Sequence, residues 1–92
     1  MKGIEIEIKV SGHIIEKNIL GILYGALKNK KADITDIEMS VATLKGGWDE
    51  KCPSIMTFKL VSFEEEDLKK TYQEILQIFK ENSCRLIYRK DV

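Results

Sequence analysis

The single histidine of this 92-residue chain, His13, follows Ser11 and Gly12 where an alternating apolar pattern gives way to a helical one. A helix that began there would present free backbone N–H groups, and Gly12 would let a ligand or a neighbouring backbone come close to them. Ser11, Gly12 and His13 are therefore the first candidate ligand-binding residues. The same three residues also suit a purely local role, with Ser11 as cap, Gly12 as turn and His13 packed or hydrogen-bonded nearby. The single tryptophan, Trp48, falls in the glycine-containing stretch 45–53. A large aromatic residue in such a loop anchors a partner or ligand, or folds back over the end of the sheet.

Other reactive side chains form no familiar constellation. Cys52 and Cys84 lack CxxC spacing and clustered histidines, which argues for structural thiols over a zinc site or a redox pair. One histidine without a sequence partner does not build a nucleophilic triad. Glu5 and Glu7 are paired carboxylates, but alternation places them on a face rich in basic partners. The run Glu64 to Asp67 reads as the start of a helix. Lys45-Gly46-Gly47 joins two predicted strands and does not open a helix, so it is no phosphate-binding loop. These residues supply no catalytic group, metal or cofactor and point away from an enzyme, the alternative being one completed across a dimer interface with His13 as acid or base.

The elements that must position these residues are legible from periodicity. Ile4, Ile6, Ile8 and Val10 alternate with Glu5, Glu7 and Lys9, predicting a half-buried strand. Ile15, Ile19, Ile22, Leu23, Ala26 and Leu27 then fall at helical spacing, predicting a helix that starts after His13 and runs to about Lys30. Lys28, Lys30 and Lys31 suit its negative end. Gly21 and Gly25 sit four apart on this helix and are expected to admit a close neighbour. Alternation returns over 33–44, with Ile37, Met39 and Val41 on one side, and again over 55–63, where Met56, Phe58 and Leu60 alternate with Thr57 and Lys59.

Ser62-Phe63-Glu64-Glu65 has capping-box spacing ahead of a second helix, with Leu68, Tyr72, Ile75, Leu76 and Phe79 on its buried stripe. In the final strand Cys84, Leu86 and Tyr88 alternate with Arg85, Ile87 and Arg89. The order is strand, helix, strand, strand, helix, strand over residues 1–92. With right-handed crossovers it makes one ferredoxin-like α+β domain, a two-layer βαββαβ sandwich with antiparallel sheet order 4-1-3-2 and both helices on one face. Strict alternation would put Arg85 and Arg89 on the open face, opposite Glu5 and Glu7, and would leave that face free of aromatic rings.

Fifteen Lys plus Arg balance fifteen Asp plus Glu, so no overall field draws the chain to nucleic acid or to anionic lipid. An open face without rings also disfavours RNA binding, which uses exposed aromatics as stacking platforms. No apolar run approaches the roughly 20 residues of a membrane span, and Met1-Lys2-Gly3-Ile4-Glu5 does not look like a signal peptide. The expectation is a cytoplasmic protein with no nucleic-acid or membrane partner.

The segment from Ile8 through Ser11-Gly12-His13-Ile14-Ile15-Glu16 resembles the glycine, histidine, apolar, apolar, acidic opening of the conserved region of the lysine-ketoglutarate reductase/saccharopine dehydrogenase (LOR/SDH) family. The helix that follows, and the Ser54-led third strand, fit the same layout, which is also similar to that of amino-acid-sensing ACT domains. The resemblance implies a regulatory or assembly domain of amino-acid metabolism that works beside an amino-acid-metabolising enzyme. It further implies a homo-oligomer, commonly a homodimer, with Ser11, Gly12 and His13 cradling the carboxylate of an amino-acid effector. The competing reading is an interaction module that docks a larger enzyme through the Trp48 loop.

Overall fold

The computed structural model describes residues 3–41 and 53–92. The chain runs β1 (Ile4–Gly12), α1 (Ile19–Leu27), β2 (Ala32–Val41), β3 (Ser54–Ser62), α2 (Glu65–Glu81) and β4 (Arg85–Asp91). The four strands form one antiparallel sheet in the order β2-β3-β1-β4. This is the ferredoxin-like order expected from the sequence, counted from the other edge.

The two-residue period of β1 and β3 builds the sheet side of the core. Ile6, Ile8 and Val10 lie against Leu60, Phe58 and Met56 in register, and all six are fully buried. On the helix side, α2 contributes Leu68, Thr71, Tyr72, Ile75 and Phe79, which share one face of the helix. Phe79 meets Phe58 edge to face, with ring centroids 6.4 Å apart. Helix α1 adds Ile19, Leu23 and Leu27 on a single i, i+4 line. Ile22, predicted on the same stripe, is 38% exposed, because a nine-residue helix on this sheet buries only a narrow strip.

Four local details depart from the periodic reading. First, α1 begins at Ile19, not directly after His13. Residues 13–18 form an irregular turn in which the Lys17 N–H donates to the His13 carbonyl and the Ile19 N–H to that of Ile14, with Asn18 left-handed at φ 50°. The turn drops Ile14 into the core, where the pattern had pointed to Ile15. Ser11 consequently does not cap the helix, and Asn18 makes no side-chain cap either. At Gly21 the close neighbour is the Asn18 side chain of the same helix, and a Cβ on Gly25 would meet nothing within 4 Å. Gly25→Ala is therefore expected to raise stability by about 0.5–1 kcal/mol through helix propensity, read as an increased urea midpoint.

Second, Ser62 does not form a capping box with Glu65. The N-cap is Glu64, without a side-chain cap. Ser62 Oγ instead donates to the Lys31 carbonyl at 2.7 Å and accepts from the Glu64 N–H at 3.3 Å, tying the α1–β2 and β3–α2 connections together. Glu65, Glu66 and Asp67 do fill the first turn of α2.

Third, β2 carries a bulge. Thr35 pairs with Lys59 but Glu38 with Thr57, so one extra residue is accommodated around Asp36, which takes φ 52°. The insertion brings Ile34 and Met39, which pair with the buried Leu60 and Met56, onto the same face. Residues 42–44, expected to extend this strand, lie outside the described residues.

Fourth, β4 is bulged at Ile87. Lys9 pairs with Tyr88 but Val10 with Leu86. The extra residue reverses the alternation beyond it, which a pattern of apolar and charged letters does not reveal. Arg89 pairs with the buried Ile8 and lies over the Tyr72 ring of α2, 4.8 Å from its centroid. Arg89 therefore does not stand on the open face, and Tyr88 does.

Candidate functional site

The first candidate site sits where β1 leaves the sheet. Gly12 is the last strand residue, paired with Ser54, whose Oγ lies 3.5 Å from the Gly12 carbonyl. Its φ of +156° is one that L side chains rarely adopt, and a Cβ there would lie 3.1 Å from Cys84 Sγ and 3.3 Å from Cys84 Cα. The closeness follows from how α2 ends. Ser83 turns left-handed, its N–H reaches the Lys80 carbonyl and the Cys84 N–H reaches that of Phe79, a Schellman ending that lays Cys84 beside Gly12.

His13 is exposed at the outer end of this turn, with Nδ1 3.4 Å from Glu16 Oε2. Lys17 donates from Nζ to the Asn82 carbonyl at 2.9 Å, bridging the turn to the end of α2. Burial pushes the Cys84 thiol above its ordinary pKa, and nearby Lys17 offsets this only in part. Cys84 is thus a protonated thiol near neutrality, packed beside Gly12. Ser11 points to the open face between Ile55 and Arg85. The turn thus joins Gly12 and His13 with Lys17, Asn82 and Cys84, while the start of α1 lies six residues further on. Trp48 and Cys52 lie outside the described residues, but the strands on either side of residues 42–52 do not: Val41 pairs with Ser54, which pairs with Gly12.

The second arrangement lies on the open face. The Tyr88 hydroxyl donates to Glu7 Oε2 at 2.7 Å, and Lys90 Nζ lies 3.2 Å from the same oxygen. Lys9 and Lys90 stand 5.8 and 5.5 Å from the Tyr88 ring centroid. The Tyr88 hydrogen bond, then Lys90, lowers the Glu7 pKa, and the Glu7 carboxylate in turn raises that of Tyr88. Across the same face Lys59 Nζ lies 3.2 Å from Asp36 Oδ2 and is raised by it.

The pH consequences follow by linkage. Glu7 stabilises the fold above the ordinary carboxylate range, and that contribution is lost as pH falls through its lowered value. Tyr88 stabilises it below pH 10.0, and the contribution is lost as pH rises through its raised value. Tyr88→Phe is expected to shift the Glu7 carboxyl titration, followed by NMR, upward toward 4.5. An unmoved Glu7 midpoint would mean that Lys90 alone sets it. Sequence periodicity does not reveal Tyr88 and Lys90 as neighbours of Glu7, because only the bulge puts them there.

At the opposite end of the sheet, a groove of about 560 Å³ is lined by Lys31, Ala32, Asp33, Val61 and Phe63 among others. Phe63 is 65% exposed there. Among the described residues, no cluster of His, Cys, Asp and Glu is arranged to hold a metal ion, and no helix is long and apolar enough to cross a membrane.

The βαββαβ order, the sheet order and the helices on one face define a ferredoxin-like α+β fold. No family model matches the chain, and no curated protein does. Solved structures match at the level of fold. An unknown protein from Galdieria sulphuraria superposes with a TM-score of 0.68 at 17% identity, over 99% of this chain and 51% of that one. The de novo designed protein Foldit4 gives 0.67 at 9% identity, over 99% and 97%. A hydantoinase/carbamoylase family amidase from Burkholderia ambifaria gives 0.60 at 6% identity, over 99% of this chain and 27% of the amidase. This chain therefore spans about half the length of the Galdieria protein and about a quarter of the amidase.

Proposed function

We propose that this chain is a non-catalytic regulatory or assembly domain of amino-acid metabolism, as its resemblance to the LOR/SDH region implies. It acts in the cytoplasm by associating through its sheet and by holding the carboxylate of an amino acid beside Gly12 and His13. The observation that carries the reading is that the sheet ends on two long strands, β2 of ten residues and β4 of seven, beyond which no further described strand lies. Strand edges of this length pair readily with other chains where no further segment covers them. The same fold making up about a quarter of an amidase chain supports a modular use. At the turn, exposed His13 and nearby Lys17 supply donors for a carboxylate, in competition with Glu16.

The test is a thermal-shift and calorimetry screen with the proteinogenic amino acids, ornithine and saccharopine, using His13→Ala as control. A ligand at 100 times its dissociation constant adds about 2.7 kcal/mol, a readily visible shift. No shift with any compound, or an identical response from His13→Ala, would refute the carboxylate site.

A second reading is favoured by Ser54, shortly after residues 42–52, pairing with Gly12: docking of a larger enzyme through Trp48. A pull-down that Trp48→Ala abolishes, with no amino-acid response, would select it.

A further inference from the structure

We infer that the partner surface for the sheet is a second copy of this chain, joined head to tail, with β4 of one copy adding antiparallel to β2 of the next. The inference rests on the assembly reading above and goes beyond it in naming the surface, the register and the symmetry.

Direction comes first. Neighbouring strands alternate across β2-β3-β1-β4, so β4 runs opposite to β2. A second copy placed beside the first with its helices on the same side continues the sheet with an antiparallel pair and no change in alternation. Charge points the same way. Strand β2 carries Asp33, Asp36 and Glu38 and no cation, whereas β4 carries Arg85, Arg89 and Lys90 against Asp91 alone. Two-fold pairing of either edge with itself brings mostly like charges together, which destabilises a cross-strand pair. Pairing β4 with β2 brings opposite charges together.

Register sharpens the case. On the open face β2 shows Asp33, Thr35 and, after its bulge, Glu38, as fixed by their partners Val61, Lys59 and Thr57. On that face β4 shows Lys90, Tyr88 and, after its bulge, Arg85, as fixed by Glu7, Lys9 and Ser11. Set antiparallel, one register places Asp33 opposite Lys90, Thr35 opposite Tyr88 and Glu38 opposite Arg85. The two inserted residues then fall at the same level, and Ile37 meets Leu86 on the helix side. A bulge ordinarily blunts an edge against pairing by bending it. Two bulges at matching positions nest. Lys90 is 64% exposed beside Glu7 and stands between that carboxylate and the incoming Asp33.

The experiment is sedimentation velocity on the 92-residue chain over a concentration and salt series, with circular dichroism to verify folding. The wild type is expected to form species beyond the dimer, because each added copy leaves one edge of each kind open, and to dissociate as salt rises. A β2 variant, Asp33→Lys with Glu38→Lys, and a β4 variant, Arg85→Glu with Lys90→Glu, are each expected to weaken association about tenfold or more. An equimolar mixture of the two should restore it, since the basic edges of one then face the acidic edges of the other. Should a charge-reversed chain fail to fold, Asp33→Asn with Glu38→Gln makes the same test with smaller changes. Association that survives in the variants, or a mixture that stays dissociated, overturns the head-to-tail pairing while leaving assembly by another surface intact. A wild type that is monomeric at every concentration overturns both.

Discussion

Phe58→Ala is expected to lower stability by about 3–5 kcal/mol, the range for deleting a fully buried aromatic ring. Phe58 is fully buried at the middle of β3, flanked in register by Ile8 of β1, and receives the edge of Phe79 from α2. The loss therefore combines removed apolar area with a cavity bounded by both layers, and the sheet has little freedom to collapse into it. A domain of this size has roughly 5–15 kcal/mol in all, so the variant should lie close to its unfolding threshold. The measurement is chemical unfolding with the midpoint and slope read separately. A drop below about 1 kcal/mol would mean that the layers repack around the gap. Phe79→Ala should cost a similar amount, and the double variant less than the two added together, because the singles each forfeit the same ring contact.

Gly12→Ala is expected to be strongly destabilising for the addition of a single methyl group. The backbone conformation alone costs an L side chain about 1–3 kcal/mol. The new methyl would also lie 3.1 Å from Cys84 Sγ and 3.3 Å from Cys84 Cα. The sulfur can give way, but the Cα is fixed by the Schellman ending of α2. A Cys84→Ala background should thus recover the part due to the sulfur and leave the backbone part in place. Full recovery would mean that the left-handed φ carries no strain, and none would mean that Cys84 already yields. The same variants bear on His13. If Gly12→Ala leaves the fold intact but removes an amino-acid response, the turn positions the ligand.

The order of elements, the fold and most of the core were legible in the sequence because two periodicities carry them. Ile6, Ile8 and Val10, or Met56, Phe58 and Leu60, state a strand and its buried face in letters alone. What was not legible has a common cause: a single residue out of step. Ile87 in β4 and the extra residue around Asp36 in β2 change which neighbours share a face without altering composition, and the turn at 13–18 replaces Ile15 with Ile14 in the core. The Schellman ending uses Ser83 where glycine would have signalled it. Of the candidate turn, Gly12 and His13 stood out in the sequence but their neighbourhood did not, since Lys17, Asn82 and Cys84 reach them only through those irregular turns, and Ser11 faces the other way. The open-face network of Glu7, Tyr88 and Lys90 is likewise a product of the bulge.

The two helices are unequal, and the inequality has a consequence for motion. Helix α2 spans seventeen residues with acids in its first turn and Lys80 in its last, so it is supported along its length and at both ends. Helix α1 spans nine, contains Gly21 and Gly25, has no acid in its first turn and no base in its last, and holds on through Ile19, Leu23 and Leu27. So short a segment has little stability apart from those three anchors. Amide exchange in α1 should proceed by local opening at a free energy below that of global unfolding, while α2 and the central strands open only with the whole domain. Each such opening would expose apolar surface between the sheet and α2 for an instant, which makes α1 the part of this fold most easily displaced by a competing amphipathic segment.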